Sequence, residues 1–317
     1  MESLVSIKNL SKSFGSFVAV NDVSFSVGKG EVLGFLGPNG AGKTTTMRMI
    51  TGYLPITSGS VSVCGFDISE NKIQAQKKIG YLPEGGPLYN DMTPASFLEF
   101  IGEVRGLKGK ELKNRIDFVV DKLSIDDVFY KTIDNLSKGY RRRVAMAQAI
   151  LHDPQVLIMD EPTDGLDPNQ KHEVRELISS MSRDKAIIIS THILEEVAAI
   201  CSNAIIISEG NIVARGTPDE LANQAEGHHA VVVRLRKVQP DTVINDILQI
   251  KNVERVNVEK DDSILVIPKK GKVILSDVGD VIRKKNLALE EIYEKTGQLD
   301  EAFRILTNPR KKKKPKS

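Results

Sequence analysis

The stretch Gly37-Pro-Asn-Gly-Ala-Gly-Lys-Thr44 decides the fold expected for this chain. Two glycines separated by four residues and followed by Lys and Thr are typical of a loop that binds phosphate. Glycine allows the tight backbone turns that point successive N–H groups at a polyphosphate. We expect the side chain of Lys43 to reach the terminal phosphates and the hydroxyl of Thr44 to bind Mg²⁺.

The residues on either side of this loop predict a strand before it and a helix after it. Residues 31–36 read Glu-Val-Leu-Gly-Phe-Leu, which is typical of a buried parallel strand. Residues 45–50 have a helix-like composition. A helix that starts at the loop would place the positive end of its dipole under the phosphates.

The composition of the chain is that of a globular protein with a sizeable core. Its 317 residues are enough for one large domain and a smaller one, and 40% of them are hydrophobic. No apolar run approaches the roughly 20 residues that cross a bilayer, and the N-terminus does not resemble a secretory signal. Cys64 and Cys201 are far apart in sequence, so we expect two buried thiols in a reducing cytoplasm.

The positive charge of the chain is concentrated at its C-terminus. Residues 310–317 carry six positive charges, so the net charge of +2 leaves −4 for the remainder. A mildly acidic body argues against nucleic acid as a partner. We expect a basic disordered tail over 309–317, either simply solvated or in contact with anionic lipid headgroups.

Strand-like and helical patterns alternate through residues 1–222, which predicts an α/β domain. Antiparallel strands are expected at its start, and a mostly helical subdomain, about 87–152, is expected between two halves of one sheet. A polar linker at 223–228 precedes a second unit over 229–308. Its predicted order of strand, helix, strand, strand, helix and strand fits a ferredoxin-like α+β domain. His228 and His229 have no partner at ligand spacing, so no metal site is expected there.

A second chemical motif follows the apolar strand predicted at 156–159. Asp160 would stand at the carboxyl end of that strand, where it could bind Mg²⁺ directly or through water. Glu161 lies one residue beyond, where its carboxylate could accept a proton from an attacking water.

The pentapeptide Leu136-Ser-Lys-Gly-Tyr140 precedes a predicted helix about 20 residues before Asp160. Ser137 is a natural N-cap for that helix. With the phosphate loop and the strand ending at Asp160, this pentapeptide resembles the motif set of the ABC (ATP-binding cassette) nucleotide-binding domains. The family's usual signature is Leu-Ser-Gly-Gly-Gln, and the resemblance covers about residues 3–222.

The resemblance extends to motifs that would mean little alone. It implies that Phe14 stacks on adenine, that Glu84 stands at the position of the family's Q-loop glutamine, and that His192 is the switch histidine near the γ-phosphate. The segment 164–167 matches the D-loop. The implied fold is a P-loop NTPase with a RecA-like core sheet, an antiparallel β subdomain and a helical insertion. The implied catalytic residues are Glu161, His192 and Lys43. The implied metal ligands are Thr44, Asp160 and Glu84. The implied ATP-binding residues are Phe14, Gly37, Pro38, Asn39, Gly40, Ala41, Gly42, Lys43, Thr44, Thr45, Glu84, Ser137, Gly139 and Asp167.

Three residues depart from the family pattern. Lys138 replaces a signature glycine and Tyr140 replaces the glutamine, whereas Ser137 and Gly139 are kept. Glu84 replaces the Q-loop glutamine, and its carboxylate can still offer oxygens to a metal or water. With the C-terminal segment 299–307, these features are similar to ABC-2-type exporter ATPases, especially the gliding-motility-associated subunits.

The resemblance implies ATP and Mg²⁺ as cofactors and a head-to-tail homodimer, in which the helix behind Ser137 and Gly139 caps the ATP of the other copy. It also implies a separate membrane permease and a peripheral position at the cytoplasmic face of the membrane. Two alternatives stay open at this point. One is a soluble mechanochemical ATPase of translation or DNA repair, and the other is a domain that binds nucleotide without hydrolysis.

Overall fold

The computed structural model describes residues 3–86, 88–224, 229–236, 241–259, 263–269, 272–295 and 299–307. The chain divides into two compact units, Met1–Thr217 and Pro218–Ser317. This division falls before the short helix Pro218–Ala222, which packs on the C-terminal helix Leu299–Thr307, whereas the sequence placed a boundary after 222. Most of the predicted linker (225–228) and the predicted tail (309–317) lie outside the described residues.

Two sheets form the frame of the first unit. Its strands are β1 (Ser3–Phe14), β2 (Phe17–Gly28), β3 (Val32–Leu36), β4 (Ser58–Val63), β5 (Phe66–Asp67), β6 (Ile79–Leu82), β7 (Val156–Asp160), β8 (Ala186–Thr191), β9 (Asn203–Ser208) and β10 (Asn211–Gly216). An antiparallel sheet has the order β2-β1-β4-β5. The second sheet, in the order β10-β9-β3-β8-β7-β6, is parallel except for its edge strand β10.

The helices of the first unit are α1 (Lys43–Ile50), α2 (Lys72–Lys77), α3 (Pro94–Val104), α4 (Gly109–Leu123), α5 (Lys138–Ile150), α6 (Pro168–Ser182) and α7 (Leu194–Ile200). Two 3-10 turns, Asp126–Val128 and Ile133–Asn135, lie between α4 and α5. Because β6 and β7 are neighbours in the sheet, the helices α3 to α5 are an insertion between them, as predicted.

The central strands are apolar because both faces of the parallel sheet are covered. Every residue of β3, β7 and β8 is buried. Each fully buried Ile of β8 stabilises the unit by about 1.5–3 kcal/mol relative to an exposed position. Two helices near the sheet end start at side-chain caps: Ser137 at α5 accepts a hydrogen bond from the backbone N–H of Tyr140, and Asp167 at α6 accepts one from that of Gln170.

The second unit has the predicted βαββαβ order after the helix α8 (Pro218–Ala222). Its elements are β11 (Ala230–Leu235), α9 (Asp241–Leu248), β12 (Val253–Val258), β13 (Ile264–Pro268), α10 (Leu275–Lys284), β14 (Leu289–Lys295) and α11 (Leu299–Thr307). The sheet order β12-β13-β11-β14, antiparallel throughout, is that of a ferredoxin-like domain. The last strand starts two residues later than predicted, because the Leu287 N–H closes the end of α10 by donating to Ile282 O.

No helix in the described part of either unit is long and apolar enough to span a bilayer.

Candidate nucleotide site

The loop between β3 and α1 approaches neighbouring backbone so closely that it needs glycine. Gly42 has a φ of +104°, and a Cβ there would lie 2.6 Å from the carbonyl oxygen of Ala19. A Cβ on Gly37 would lie 2.5 Å from the carbonyl oxygen of Ile207. Gly40 also has a positive φ, +79°, but a Cβ on it would have nothing within 4 Å. The glycines at 37 and 42 are therefore required for packing as well as for the shape of the loop.

Alanine variants of Gly42 and Gly40 can separate the effect of the backbone clash from that of the positive φ. Gly42→Ala combines a strained φ with a backbone clash, so we expect it to lower the free energy of unfolding by more than about 1 kcal/mol and to weaken ATP binding. Gly40→Ala carries the strain without the clash and should cost less on both measures. Thermal unfolding and ATP titration of the two purified variants check this; equal effects would contradict the packing explanation.

Lys43 begins α1 and is buried beneath the loop. Its Nζ donates a hydrogen bond of 2.7 Å to Gly37 O and lies 3.9 Å from Oε1 of Glu161. Burial lowers the pKa of Lys43 from its ordinary value, and the carboxylates of Glu161, Asp160 and Glu84 oppose that shift. The ammonium group thus lies close to the carboxylate of Glu161 and in the field of Asp160 and Glu84.

Asp160 has one carboxylate oxygen that is free to bind a metal. The residue is fully buried at the end of β7, and its Oδ1 accepts a hydrogen bond from the hydroxyl of Ser190. Its Oδ2 is buried without a hydrogen-bond partner among the described residues. A buried, unpartnered carboxylate oxygen is costly unless a cation or donor approaches it. The residues therefore fit Mg²⁺, which prefers one or two carboxylates with phosphate oxygens and water. Within the described ranges, no group of three His, Cys, Asp or Glu side chains forms a metal site by itself.

Glu161 and His192 face each other across the ends of β7 and β8. Oε1 of Glu161 lies 2.9 Å from Nδ1 of His192. The side chain of Glu161 is nearly buried and that of His192 is half-exposed. The backbone N–H of Glu161 donates to Ser190 O at 2.9 Å, which ties the two strand ends together. A carboxylate and an imidazole in contact at the edge of a cleft can accept and pass on a proton.

A cleft of about 400 Å³ opens over the loop. Phe14 contributes from the end of β1, with 50% of its surface exposed and Lys12 Nζ 5.1 Å from its ring centroid. Glu84 contributes from the loop after β6, and Glu161 from the loop after β7. The lining residues are Phe14, Phe17, Ala19, Pro38, Asn39, Gly40, Gly42, Lys43, Thr44, Thr45, Glu84 and Glu161. One cleft thus holds an aromatic platform, a phosphate loop and acidic side chains.

The remaining predicted residues do not line this cleft. Ser137 and Gly139 are at the start of α5, and Asp167 is the N-cap of α6. A Cβ on Gly139 would lie 2.6 Å from Oε1 of Gln170, so glycine allows the starts of α5 and α6 to approach closely. Lys138 forms an ion pair of 3.0 Å with Asp164 in the segment 164–167. That contact holds the pKa of Asp164 below its ordinary value.

Two buried charged residues near the site, Glu196 and Arg142, were not among the predicted site residues. Glu196 on α7 accepts hydrogen bonds from the hydroxyls of Thr163 and Thr191, and so joins the turn after Glu161 to the end of β8. Arg142 on α5 donates to the backbone carbonyls of Asp160 and Glu161. Helical spacing could have located Arg142, because it lies in one stripe with the buried residues Ala145, Met146 and Ala149.

Known proteins with related sequences and structures indicate the family of this chain. Residues 20–164 match the family model described as ABC transporter. The probable multidrug ABC transporter ATP-binding protein YbhF of Escherichia coli K12 is 36% identical over 225 residues, 71% of this chain. This chain spans only 39% of the length of YbhF. The Nod factor export ATP-binding protein I of Cupriavidus metallidurans is 34% identical over 241 residues, which cover 76% of this chain and 80% of that protein. The solved structure of an ATP-binding subunit of an ABC transporter has a TM-score of 0.66 and 29% identity, covering 70% of this chain and 93% of the other.

A phosphate loop under an aromatic platform, with carboxylates at the ends of neighbouring parallel strands, defines a P-loop nucleotide hydrolase. Among such proteins, the helical insertion between β6 and β7 is the feature implied by the resemblance to ABC nucleotide-binding domains. The chain belongs to the ABC transporter ATP-binding proteins.

Proposed function

We propose that this chain hydrolyses ATP in the cleft above residues 37–45 and that the reaction powers export of a substrate through a separate membrane permease. The observation that carries the proposal is that Lys43, at the start of the helix after β3, lies near Glu161, which follows β7 and contacts His192 at the end of the neighbouring strand β8. A domain that only binds nucleotide would not need a buried carboxylate in contact with a half-exposed imidazole, so the non-hydrolysing alternative is disfavoured.

The residues in and beside the cleft have different roles according to their positions. Phe14 stacks on the adenine, and the backbone N–H groups of the loop with Lys43 bind the phosphates. Thr44 and Asp160 hold Mg²⁺, with Glu84 as a further oxygen ligand directly or through water. When bound, that ion neutralises charge on the phosphates. Glu161 accepts a proton from the attacking water, and His192 keeps its carboxylate oriented.

A homodimer would complete this site. Ser137 and Gly139 lie outside the cleft of their own chain, at the start of the 13-residue helix α5, where free N–H groups favour an anion. We propose that they contact the ATP held by a second copy, with Asp167 beside them. Binding of ATP would then close the dimer, and hydrolysis would release it.

The permease has a suitable docking surface on the first unit. A groove of about 550 Å³ lies between the core sheet and the helical insertion. Its apolar members include Tyr53, Ile73, Tyr89, Ile101 and Val104, and four of these are large side chains that stay exposed, Tyr53, Ile73, Tyr89 and Val104. Exposed apolar patches of this kind mark protein contacts. Pro83 also lines the groove, one residue before Glu84 in the nucleotide cleft. A partner bound in the groove would therefore contact the same loop that carries Glu84.

A negative charge introduced into this apolar groove should weaken binding of the permease. Val104 is 68% exposed, so Val104→Glu should leave the melting temperature unchanged. Recovery of the permease that co-purifies with this chain from membranes should fall by about 30-fold, as expected for an interface residue worth about 2 kcal/mol. Val258→Glu in the second unit, where the valine is 44% exposed, is the matched control. Equal recovery of the permease with both variants would overturn the docking surface.

Two findings favour export over a soluble ATPase of translation or DNA repair. The matching family model is that of ABC transporters, and the relative from Cupriavidus metallidurans is named as a Nod factor export protein. The similarity to gliding-motility subunits stays a prediction. We also propose a peripheral position at the cytoplasmic face of the membrane. The basic residues 310–317 would add attraction to anionic lipid there, at about 1 kcal/mol for each Lys or Arg near the surface.

A further inference from the structure

One buried arginine joins the loops that carry the catalytic carboxylates. Arg142 lies on α5 with 7% of its surface exposed. Its Nε donates to Pro162 O at 3.2 Å, and its Nη1 donates to Pro83 O at 3.1 Å. Its Nη2 donates to Asp160 O at 2.6 Å and also to Glu161 O. A single guanidinium therefore holds four carbonyl groups from two loops.

Burying the guanidinium charge of Arg142 costs free energy unless its lost hydration is compensated. Burial lowers the pKa of Arg142, and the carboxylates of Asp164, Asp160, Glu161 and Glu84 oppose the shift. The described structure gives the guanidinium no direct ion pair, so the carbonyl groups and the field of these carboxylates compensate its lost hydration. A planar fork with five donors can satisfy four carbonyls at once, which a lysine cannot do.

The carbonyls that Arg142 holds include that of a strained residue. Glu161 has a φ of +50°, a conformation that residues with a Cβ rarely adopt. Its N–H is fixed by Ser190 O on one side, and its carbonyl is fixed by Arg142 on the other. Such strain persists only where the surroundings hold the backbone in place.

We propose that Arg142 is a positioning residue for ATP hydrolysis. It holds the backbone of Glu161 in the left-handed conformation that directs the side chain at His192, and it fixes that backbone relative to the loop of Glu84 through Pro83 O. The start of α5 and the loops that carry Glu84 and Glu161 then move together. The inference rests on the catalytic role of Glu161 proposed above.

The test compares ATP turnover by Arg142→Lys, Arg142→Ala and a matched control. Arg143→Ala removes the next guanidinium on α5, which instead contacts Leu123 O and Glu173. We expect Arg142→Lys and Arg142→Ala to lower kcat by about 10- to 100-fold with KM within about threefold, because misplacing a catalytic group impairs chemistry rather than binding. Arg143→Ala should keep kcat within about twofold, since the deleted group touches neither loop.

Chemical rescue separates positioning from general stability. Ethylguanidinium, which replaces the atoms lost in Arg142→Ala, should restore part of its kcat, whereas ethylammonium of the same charge should not. A kcat near that of the unaltered protein in both Arg142 variants would overturn the proposal. So would a loss that ethylguanidinium does not restore and that follows a fall in melting temperature. If Arg142→Ala does not fold, the kcat and KM of Arg142→Lys decide alone. Undiminished turnover by Glu161→Gln would instead reject the assignment of Glu161, so the two failures can be told apart.

Discussion

Glu161→Gln is expected to stop ATP hydrolysis while ATP still binds. The amide has the shape of the carboxylate and can keep a contact with His192, whose Nδ1 lies 2.9 Å from Oε1 of Glu161. It cannot accept a proton, however, so the loss of general-base catalysis should lower kcat by about 10²- to 10⁴-fold. ATP affinity should stay within about threefold, because the phosphates are bound by the loop and Lys43 rather than by Glu161.

The measurement is steady-state phosphate release together with ATP titration of the purified protein. Glu176→Gln is a suitable control, because it makes the same change on the exposed face of α6, where Glu176 pairs only with His172 in the described structure. Turnover by Glu161→Gln at the level of that control would exclude Glu161 as the base. If the proposed dimer forms, the variant should also stay dimeric with ATP, since release requires hydrolysis.

The chemistry of the site was predictable because it lies at the ends of apolar strands. Asp160 ends β7 and His192 follows β8, two strands that are buried along their whole length, and the carboxyl ends of neighbouring parallel strands meet at one edge of a sheet. The phosphate loop follows β3 in the same sheet. Three short sequence patterns therefore fix one location in space, although the phosphate loop is more than 100 residues from Asp160 and His192.

The supporting contacts were not predictable in the same way. Arg142 stands in a run of three arginines; helical spacing can indicate that it is the buried one, but only the packing of α5 shows which carbonyl groups it contacts. Lys138 was recognised only as a departure from glycine, whereas the structure pairs it with Asp164. Glu196 is separated from Thr163 by more than 30 residues, so their hydrogen bond depends on tertiary structure alone. Local patterns predict elements and motifs, but side-chain contacts between elements depend on the packed fold.

Asp160→Asn should separate the metal role of this residue from its structural role. The amide oxygen can keep the hydrogen bond from the hydroxyl of Ser190, and the other position, Oδ2, has no partner in the described part of the chain to lose. The melting temperature should therefore change little. Loss of the negative charge should weaken Mg²⁺ binding, raise the Mg²⁺ concentration needed for half-maximal turnover and lower kcat by about 10²-fold or more.

ATP turnover measured against Mg²⁺ concentration, with EDTA as the metal-free limit, checks this prediction. Asp184→Asn is the matched control, because the side chain of Asp184 is 83% exposed and pairs with Lys29 away from the cleft. An unchanged Mg²⁺ dependence in Asp160→Asn would mean that the ion is held by Thr44 and the phosphates alone. A fall in stability larger than that of the control would instead mean that the carboxylate serves the packing of β7 against β8. Because the free oxygen of Asp160 is buried, the structure argues for the metal: a carboxylate needed only for packing would have both of its oxygens satisfied.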